Sequence, residues 1–279
     1  VVTGLGIEAG AALSSHPGIH HISFTGSVGI GKLIQKAAGN NIVPVTLELG
    51  GKSPQIIFDD ADLDAALPFL VNGGIQNAGQ TCSAGTRILI QRGVYEKVIK
   101  MMCSKISLLK VGSAIDDLDL GPLISPKQKI VVERYIAHGV ESGLKIAAQG
   151  LISDDCPSAG CYVVPTLFRD VPPDHKLAQE EIFGPIQVAI PFDTEEEAVN
   201  LANGTEFGLV TGVWTRDGSR QLRIAKAIKA GQIFINNYGA GGGVELPFGG
   251  VGKSGFGREK GFEALYGFSV LKTIAAYHG

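Results

Sequence analysis

Short apolar runs alternate with helix-spaced apolar positions along almost the whole chain. Over the first fifty residues the pattern predicts a helix from Ile7 to Ser15, a strand at His21–Phe24, a helix from Gly29 to Ala38 and a strand from Val43 to Glu48. The rhythm continues through a strand at Gln55–Phe58, a helix from Asp62 to Gln76 and a strand at Arg87–Gln91. Helices at Val94–Leu109 and Pro126–Ser142 follow, the second with Ile130, Val131, Tyr135 and Ile136 as apolar positions, and then a strand at Lys145–Ala148. Residues 151–173 are polar and loop-like, with Tyr162–Leu167 extended. Strands at Ile186–Pro191, Leu209–Thr215 and Ile233–Asn236 alternate with helices at Thr194–Asn203 and Asp217–Ala230. Asp59-Asp60-Ala61-Asp62 supplies an N-cap, and Thr194 with Glu197 three residues on reads as a capping box. This strand–helix alternation predicts an α/β fold with a parallel sheet covered by helices.

The two ends read differently. Val270–Ala276 is an apolar strand of the kind that pairs with a neighbouring subunit's sheet edge. Val1-Val2-Thr3-Gly4 has no initiator Met and reads as the end of a strand already under way, so the chain is expected to be a piece of something longer. Composition narrows the function classes. A length of 279 residues with 44% hydrophobic content allows two modest domains around well-buried cores. The net charge of -3, without a basic tract, argues against a nucleic-acid partner. No apolar run reaches transmembrane length and the start lacks a signal peptide's charged residues, so no membrane partner is expected. Cys82, Cys103, Cys156 and Cys161 lack metal-ligand spacing; no metal and a reduced, cytoplasmic location are the expectations. The histidines His20, His21, His138 and His175 carry no assigned role.

Candidate chemistry concentrates in a few stretches. In Asn77-Ala78-Gly79-Gln80-Thr81-Cys82-Ser83 a cysteine sits among small and polar residues between a helix and a strand, where a thiol finds partial exposure and backbone donors. A cysteine acting as a small hydrophobe is the plain alternative. In Leu47-Glu48-Leu49-Gly50-Gly51-Lys52-Ser53-Pro54 a carboxylate flanked by leucines is either a desolvated general base or a solvent-facing strand end. Gly4-Leu5-Gly6-Ile7-Glu8-Ala9-Gly10 misses the dinucleotide fingerprint by one residue and reads as a tight turn. Gly26-Ser27-Val28-Gly29-Ile30-Gly31-Lys32 has the glycines and lysine of a phosphate loop, but Leu33 stands where the magnesium-binding hydroxyl belongs, which disfavours a P-loop nucleotidase. A strand, a glycine turn and a helix N-terminus still suit a pyrophosphate. Glu180-Glu181-Ile182-Phe183-Gly184-Pro185 reads as a loop offering a carboxylate and a ring to a ligand, or as a charged turn with Phe183 in the core. Gly239–Gly243 reads as a flexible loop too short to be a linker.

Together these stretches resemble the NAD(P)-dependent aldehyde dehydrogenase superfamily over essentially the whole chain. The resemblance rests on Leu47–Pro54, Gly79-Gln80-Thr81-Cys82, Glu180–Pro185, and Pro247-Phe248-Gly249-Gly250 with Ser254-Gly255-Phe256-Gly257-Arg258-Glu259, in that order. It implies a remnant of a Rossmann-like cofactor domain over 1–50, an α/β catalytic domain over 51–250, and a return segment with a C-terminal oligomerisation strand over 251–279. It implies that Cys82 attacks an aldehyde to give a thiohemiacetal and then a thioester, and that Glu48 activates the hydrolytic water. NAD or NADP would lie along Phe24, Thr25, Gly26, Ser27 and Gly31, beside Leu49 and Gly50, with Glu181 on the nicotinamide ribose and Phe183 packed next to it. Asn236 and Phe248 would sit near the substrate funnel. The implied partners are a small-molecule aldehyde and, in the full-length protein, further copies in a homo-dimer or homo-tetramer. Family members are much longer at the N-terminus, so this chain alone is expected to be weakly active or inactive. Alternatives within and outside enzymology are a CoA-acylating aldehyde dehydrogenase, which Glu48 argues against, and a non-catalytic structural homologue.

Overall fold

In a computed structural model of the chain, the β-branched runs build two main sheets, beside two short ribbons, β5 (Lys110–Val111) with β7 (Leu151–Ile152) and β10 (Phe207–Gly208) with β13 (Val251–Gly252). The structure describes residues 1–239 and 243–279, so the centre of the expected glycine loop at 239–243 lies outside the described residues. The small sheet sets β1 (Ile22–Thr25) parallel to β2 (Val45–Glu48), with β14 (Gly255–Phe256) antiparallel on the other edge of β2. The crossover between β1 and β2 is α2 (Val28–Asn40), whose N-cap Ser27 accepts from the Ile30 N–H. Gly31 lets this helix lie close: a Cβ there would fall 2.6 Å from the Leu49 side chain.

The large sheet has the order β12 (Gln232–Ile235), β11 (Val210–Trp214), β3 (Pro54–Ile57), β4 (Arg87–Gln91), β9 (Ile186–Phe192), β8 (Thr166–Arg169) and β6 (Lys145–Gln149). Every neighbouring pair is parallel except β6 with β8. Ile56, Ile57, Ile88, Leu89, Ile90 and Val188 on the central strands are fully buried, as helices cover both faces. Each such side chain contributes roughly 1.5–3 kcal/mol of burial free energy. The covering helices include α3 (Leu63–Ile75), α4 (Tyr95–Ile106), α5 (Pro126–Glu141), α7 (Glu195–Asn203) and α8 (Gly218–Ala227). Asp62 caps α3 by accepting from Ala65, and Thr194 caps α7 by accepting from Glu197. The reciprocal bond of that capping box is displaced by one residue: Glu197 accepts from the N–H of Asp193 instead of Thr194. Among the described residues no helix is long and apolar enough to cross a membrane.

Two expected strands at the ends of the chain do not form, each for the absence of a neighbour to pair with. Val1–Gly4 is not a strand, and neither is Val270–Ala276, where Val270 and Leu271 are fully open to solvent. An isolated strand leaves its backbone groups to water and gains nothing from extension. Tyr162–Leu167 becomes a strand only from Thr166, where β9 is alongside. The expected tight turn at Gly4–Gly10 is instead a π-helical turn over Gly6–Gly10, leading into α1 (Ala11–Ser15), with the Leu5 carbonyl accepting from Glu8 and Ala9.

Candidate active site

Parallel strands in register bring together the loops that precede them. Pro54 of β3 stands opposite Arg87 of β4, and Arg87 opposite Val188 of β9. Glu48, Cys82 and Glu181 each lie five or six residues ahead of one of these three adjacent strands. The loops therefore converge at the amino edge of the large sheet. Facing them are the carboxyl ends of β1 and β2, where Thr25-Gly26-Ser27 enters α2. A cavity of about 870 Å³ lies between the two edges.

Cys82 and Glu48 line the same cavity. Beyond Ile75 the chain turns through Asn77, Ala78 and Gly79, all left-handed, with φ of 51°, 54° and 73°. A Cβ on Gly79 would also lie 2.2 Å from the Gly184 carbonyl oxygen, so this position needs glycine twice over. The Cys82 carbonyl packs over Gly51, where a Cβ would come within 2.3 Å of its oxygen. Burial pushes the Cys82 thiol pKa up, helped by the carboxylates of Glu181 and Glu48; the N–H groups of Cys82 and Ser83 pull it down. Glu48 is 2% exposed and neither of its carboxylate oxygens has a partner. Its pKa is pushed up to about 8, chiefly by burial and then by Glu259, against the pull of Arg258. That is the range of a general base working near neutrality.

Glu181 takes a 3.2 Å hydrogen bond from the Gly51 N–H. Its carboxylate occupies the space over Gly50, where a Cβ would lie 2.0 Å from an oxygen. Burial raises the Glu181 pKa while the Gly51 N–H and Lys52 oppose the rise. Phe183, at φ 58°, lines the cavity, and Gln128 on α5 donates to the carbonyls of Ile182 and Phe183. These residues fit a dinucleotide: the amino end of α2 offers backbone donors to a pyrophosphate, and Glu181 offers acceptors to a ribose.

Thr25, Gly26, Ser27, Leu49, Gly50, Phe183 and Phe248 all reach the cavity, together with Glu48, Cys82 and Glu181. Three expected residues do not line it. Phe24 lies under Gly26, its ring 2.5 Å from where a Cβ would be, and lines a separate apolar cavity of about 750 Å³ against α1 and α2. Gly31 is a packing contact with Leu49. Asn236 lies just past β12 on the exposed surface, with its amide engaging both the N–H and the carbonyl of Thr215. A side chain spent on closing a strand end is not available to a substrate.

The sequence left Gln80, Gln128, Glu259 and Lys260 without roles, yet they line the cavity. Glu259 accepts from Ser23 Oγ at 2.6 Å, and its backbone pairs with that of Phe248. Its position inside Ser254–Glu259 was the available signal. Gln128 gave none, being an ordinary polar residue in the first turn of a capped helix.

Comparison with known proteins matches residues 1–274 to the aldehyde dehydrogenase family. A betaine aldehyde dehydrogenase of Rhizobium leguminosarum is 41% identical over 268 residues, covering 96% of this chain and 55% of the relative. An aldehyde dehydrogenase of Emericella nidulans is 42% identical over 276 residues, covering 98% of this chain and 55% of that one. Among solved structures, an NAD+ complex of an aldehyde dehydrogenase from Bacillus cereus superposes with a TM-score of 0.90 at 41% identity, over 95% of this chain and 53% of that one. A Burkholderia cenocepacia chain crystallised as a candidate aldehyde dehydrogenase gives a TM-score of 0.98 at 62% identity, over 100% of this chain and 58% of that one. The chain thus spans about half the length of the curated relatives it matches.

Proposed function

Because this chain belongs to the aldehyde dehydrogenase family, we propose that it carries the cysteine and glutamate of an NAD(P)-dependent oxidation of an aldehyde to a carboxylic acid. The observation that carries the reading is the shared cavity of Cys82 and unpartnered Glu48. The Cys82 sulfur adds to the aldehyde carbon, giving a thiohemiacetal whose oxygen carries the thiol's proton or one from solvent. A bound nicotinamide would supply the acceptor for the hydride leaving that carbon; with the hydroxyl proton passing to solvent, a thioester on Cys82 remains. Glu48 then removes a proton from water, whose oxygen attacks the thioester carbon; the C–S bond breaks and the acid leaves. Thr25, Gly26, Ser27, Leu49, Gly50, Glu181 and Phe183, which line the cavity, would hold the cofactor, and Phe248 would flank the substrate side. A base with a pKa of about 8 is mostly protonated at neutrality, so hydrolysis should rise with pH until Glu48 is ionised. In the whole protein, Val270–Ala276 is the segment assigned to pairing between copies, and a cytoplasmic location suits four free cysteines.

The test incubates the chain with an aldehyde and excess NAD or NADP and follows the reduced nicotinamide and the peptide bearing Cys82. Turnover by the chain alone should be weak. Cys82→Ala should abolish it, and Glu48→Gln should leave the acyl group on Cys82 with little free acid. Undiminished oxidation by Cys82→Ala, or Cys103 alkylated ahead of Cys82 in the unsubstituted chain, overturns the reading.

A further inference from the structure

Tyr238 is buried, 8% exposed, just beyond the end of β12, and none of the chemistry above uses it. Three glycines from separate elements make its slot. A Cβ on Gly212 of β11 would lie 2.7 Å from the ring, one on Gly73 of α3 2.9 Å, and one on Gly85 of the cysteine loop 3.1 Å. The ring thus packs between the sheet, the helix before Cys82 and the loop that carries it. Its hydroxyl donates a 2.7 Å hydrogen bond to the carbonyl of Ser83, the residue after Cys82. Burial raises the phenol's pKa, so it stays a donor throughout the useful pH range.

The rest of the loop is pinned on either side of that bond. Ala84 N–H donates to the Thr81 carbonyl at 3.1 Å, and Gly85 N–H to the Gly73 carbonyl at 2.7 Å. The Cys82 carbonyl is wedged over Gly51. The Cys82 carbonyl shares its peptide with the Ser83 N–H, which faces the sulfur, and the Ser83 carbonyl fixes the peptide that follows. Successive N–H groups converging on one point form a small anion nest.

We propose that Tyr238 is a positioning residue for the nucleophile, its hydroxyl holding the Ser83 carbonyl so that the Cys82 and Ser83 N–H groups receive the thiolate. The inference rests on the reading of Cys82 as the nucleophile. The charged groups around the sulfur are Glu181, with Lys52 beside it, and Glu48, with Glu259 and Arg258 beside it; Arg87 lies near the phenol. Tyr238→Phe keeps all of these and removes one oxygen.

The experiment follows iodoacetamide alkylation of Cys82 and Cys103 by peptide mass across the neutral-to-alkaline range, in the 279-residue chain and in Tyr238→Phe. Cys103, on α4 with its thiol donating to the Ala147 carbonyl, reports the general state of the fold. A positioning role moves the Cys82 profile to higher pH and slows its alkylation near neutrality about three- to tenfold, the range of one net hydrogen bond, with Cys103 unchanged. Superimposable Cys82 profiles, or faster alkylation in the variant, overturn the proposal. So does a change shared by both cysteines, because the tyrosine would then be holding the fold and not the loop. Each profile compares one thiol with itself, so it reads the clamp whether or not the chain oxidises an aldehyde. A failed oxidation assay beside a shifted profile sinks the functional reading alone.

Discussion

Glu48 and Lys52 are both 2% exposed, four residues apart, and each has charged atoms without a hydrogen-bond partner. Their effects on stability run in opposite directions with pH. The Glu48 carboxyl rises from 4.5 to about 8, so between those values the folded chain holds a proton that the unfolded chain has lost. Stability therefore falls as pH rises through that window, and the full penalty is reached above about 8. Glu48→Gln should be neutral near the bottom of the window and stabilise by about 3–5 kcal/mol above it, in urea unfolding at several pH values. Parallel curves for the two proteins at every pH would show that water reaches the carboxylate in solution. Lys52 falls from 10.5 to about 7, through burial first and the Arg87 guanidinium second, with Glu181 and Glu180 opposing. Here the unfolded chain holds the extra proton, so the penalty is complete below about 7 and fades as pH climbs toward 10.5. Lys52→Met should accordingly stabilise most on the acid side and lose its advantage in alkali, the reverse of the glutamate variant. A gain that grew with pH would contradict the assignment.

Between elements, Arg87 ties the loop of Glu48 to the rest of the large sheet. Its guanidinium donates to the carbonyls of Lys52 at 2.8 Å, Leu201 at 2.6 Å and Ala202 at 2.8 Å, joining β4, the loop ahead of β3 and the end of α7. A planar fork reaches three acceptors at fixed angles, and an ammonium cannot. Arg87→Lys should cost about 3 kcal/mol of unfolding free energy, since two carbonyls lose a charged donor in a dry interior. A loss under about 1 kcal/mol in urea would mean that water replaces the fork. Most elements were legible because each carries its own period: β4 occupies the predicted Arg87–Gln91, and α3 starts after the predicted cap Asp62. The convergence of Glu48, Cys82 and Glu181 was legible only through resemblance. Their distances along the chain say nothing of the register that sets β3, β4 and β9 side by side. Asn236 was placed near the substrate funnel only by resemblance, and nothing in its sequence neighbourhood signals its bonds to Thr215, just beyond the neighbouring strand's end.

At the scale of the whole molecule, two of the places where large apolar side chains stand exposed bear on association. Ile7, Leu13 and Leu33 are mostly exposed around the apolar cavity beside β1, whose outer edge is unpaired in the small sheet. The second is the stretch 270–277, where Val270, Leu271, Ile274 and Tyr277 face solvent. The apolar run at Val270–Ala276 forms no strand within one copy, because it has no edge to lie against. Contiguous exposed apolar surface of this kind favours association. Deleting residues 270–279 removes side chains that bury almost nothing within one copy, so the free energy of urea unfolding at low concentration should change by less than about 0.5 kcal/mol. The same deletion should weaken self-association in sedimentation velocity, because it takes away one of the two sticky surfaces. A large drop in monomer stability would instead mean that the segment folds back onto its own chain, and the assignment of this stretch to contacts between copies would fall with it.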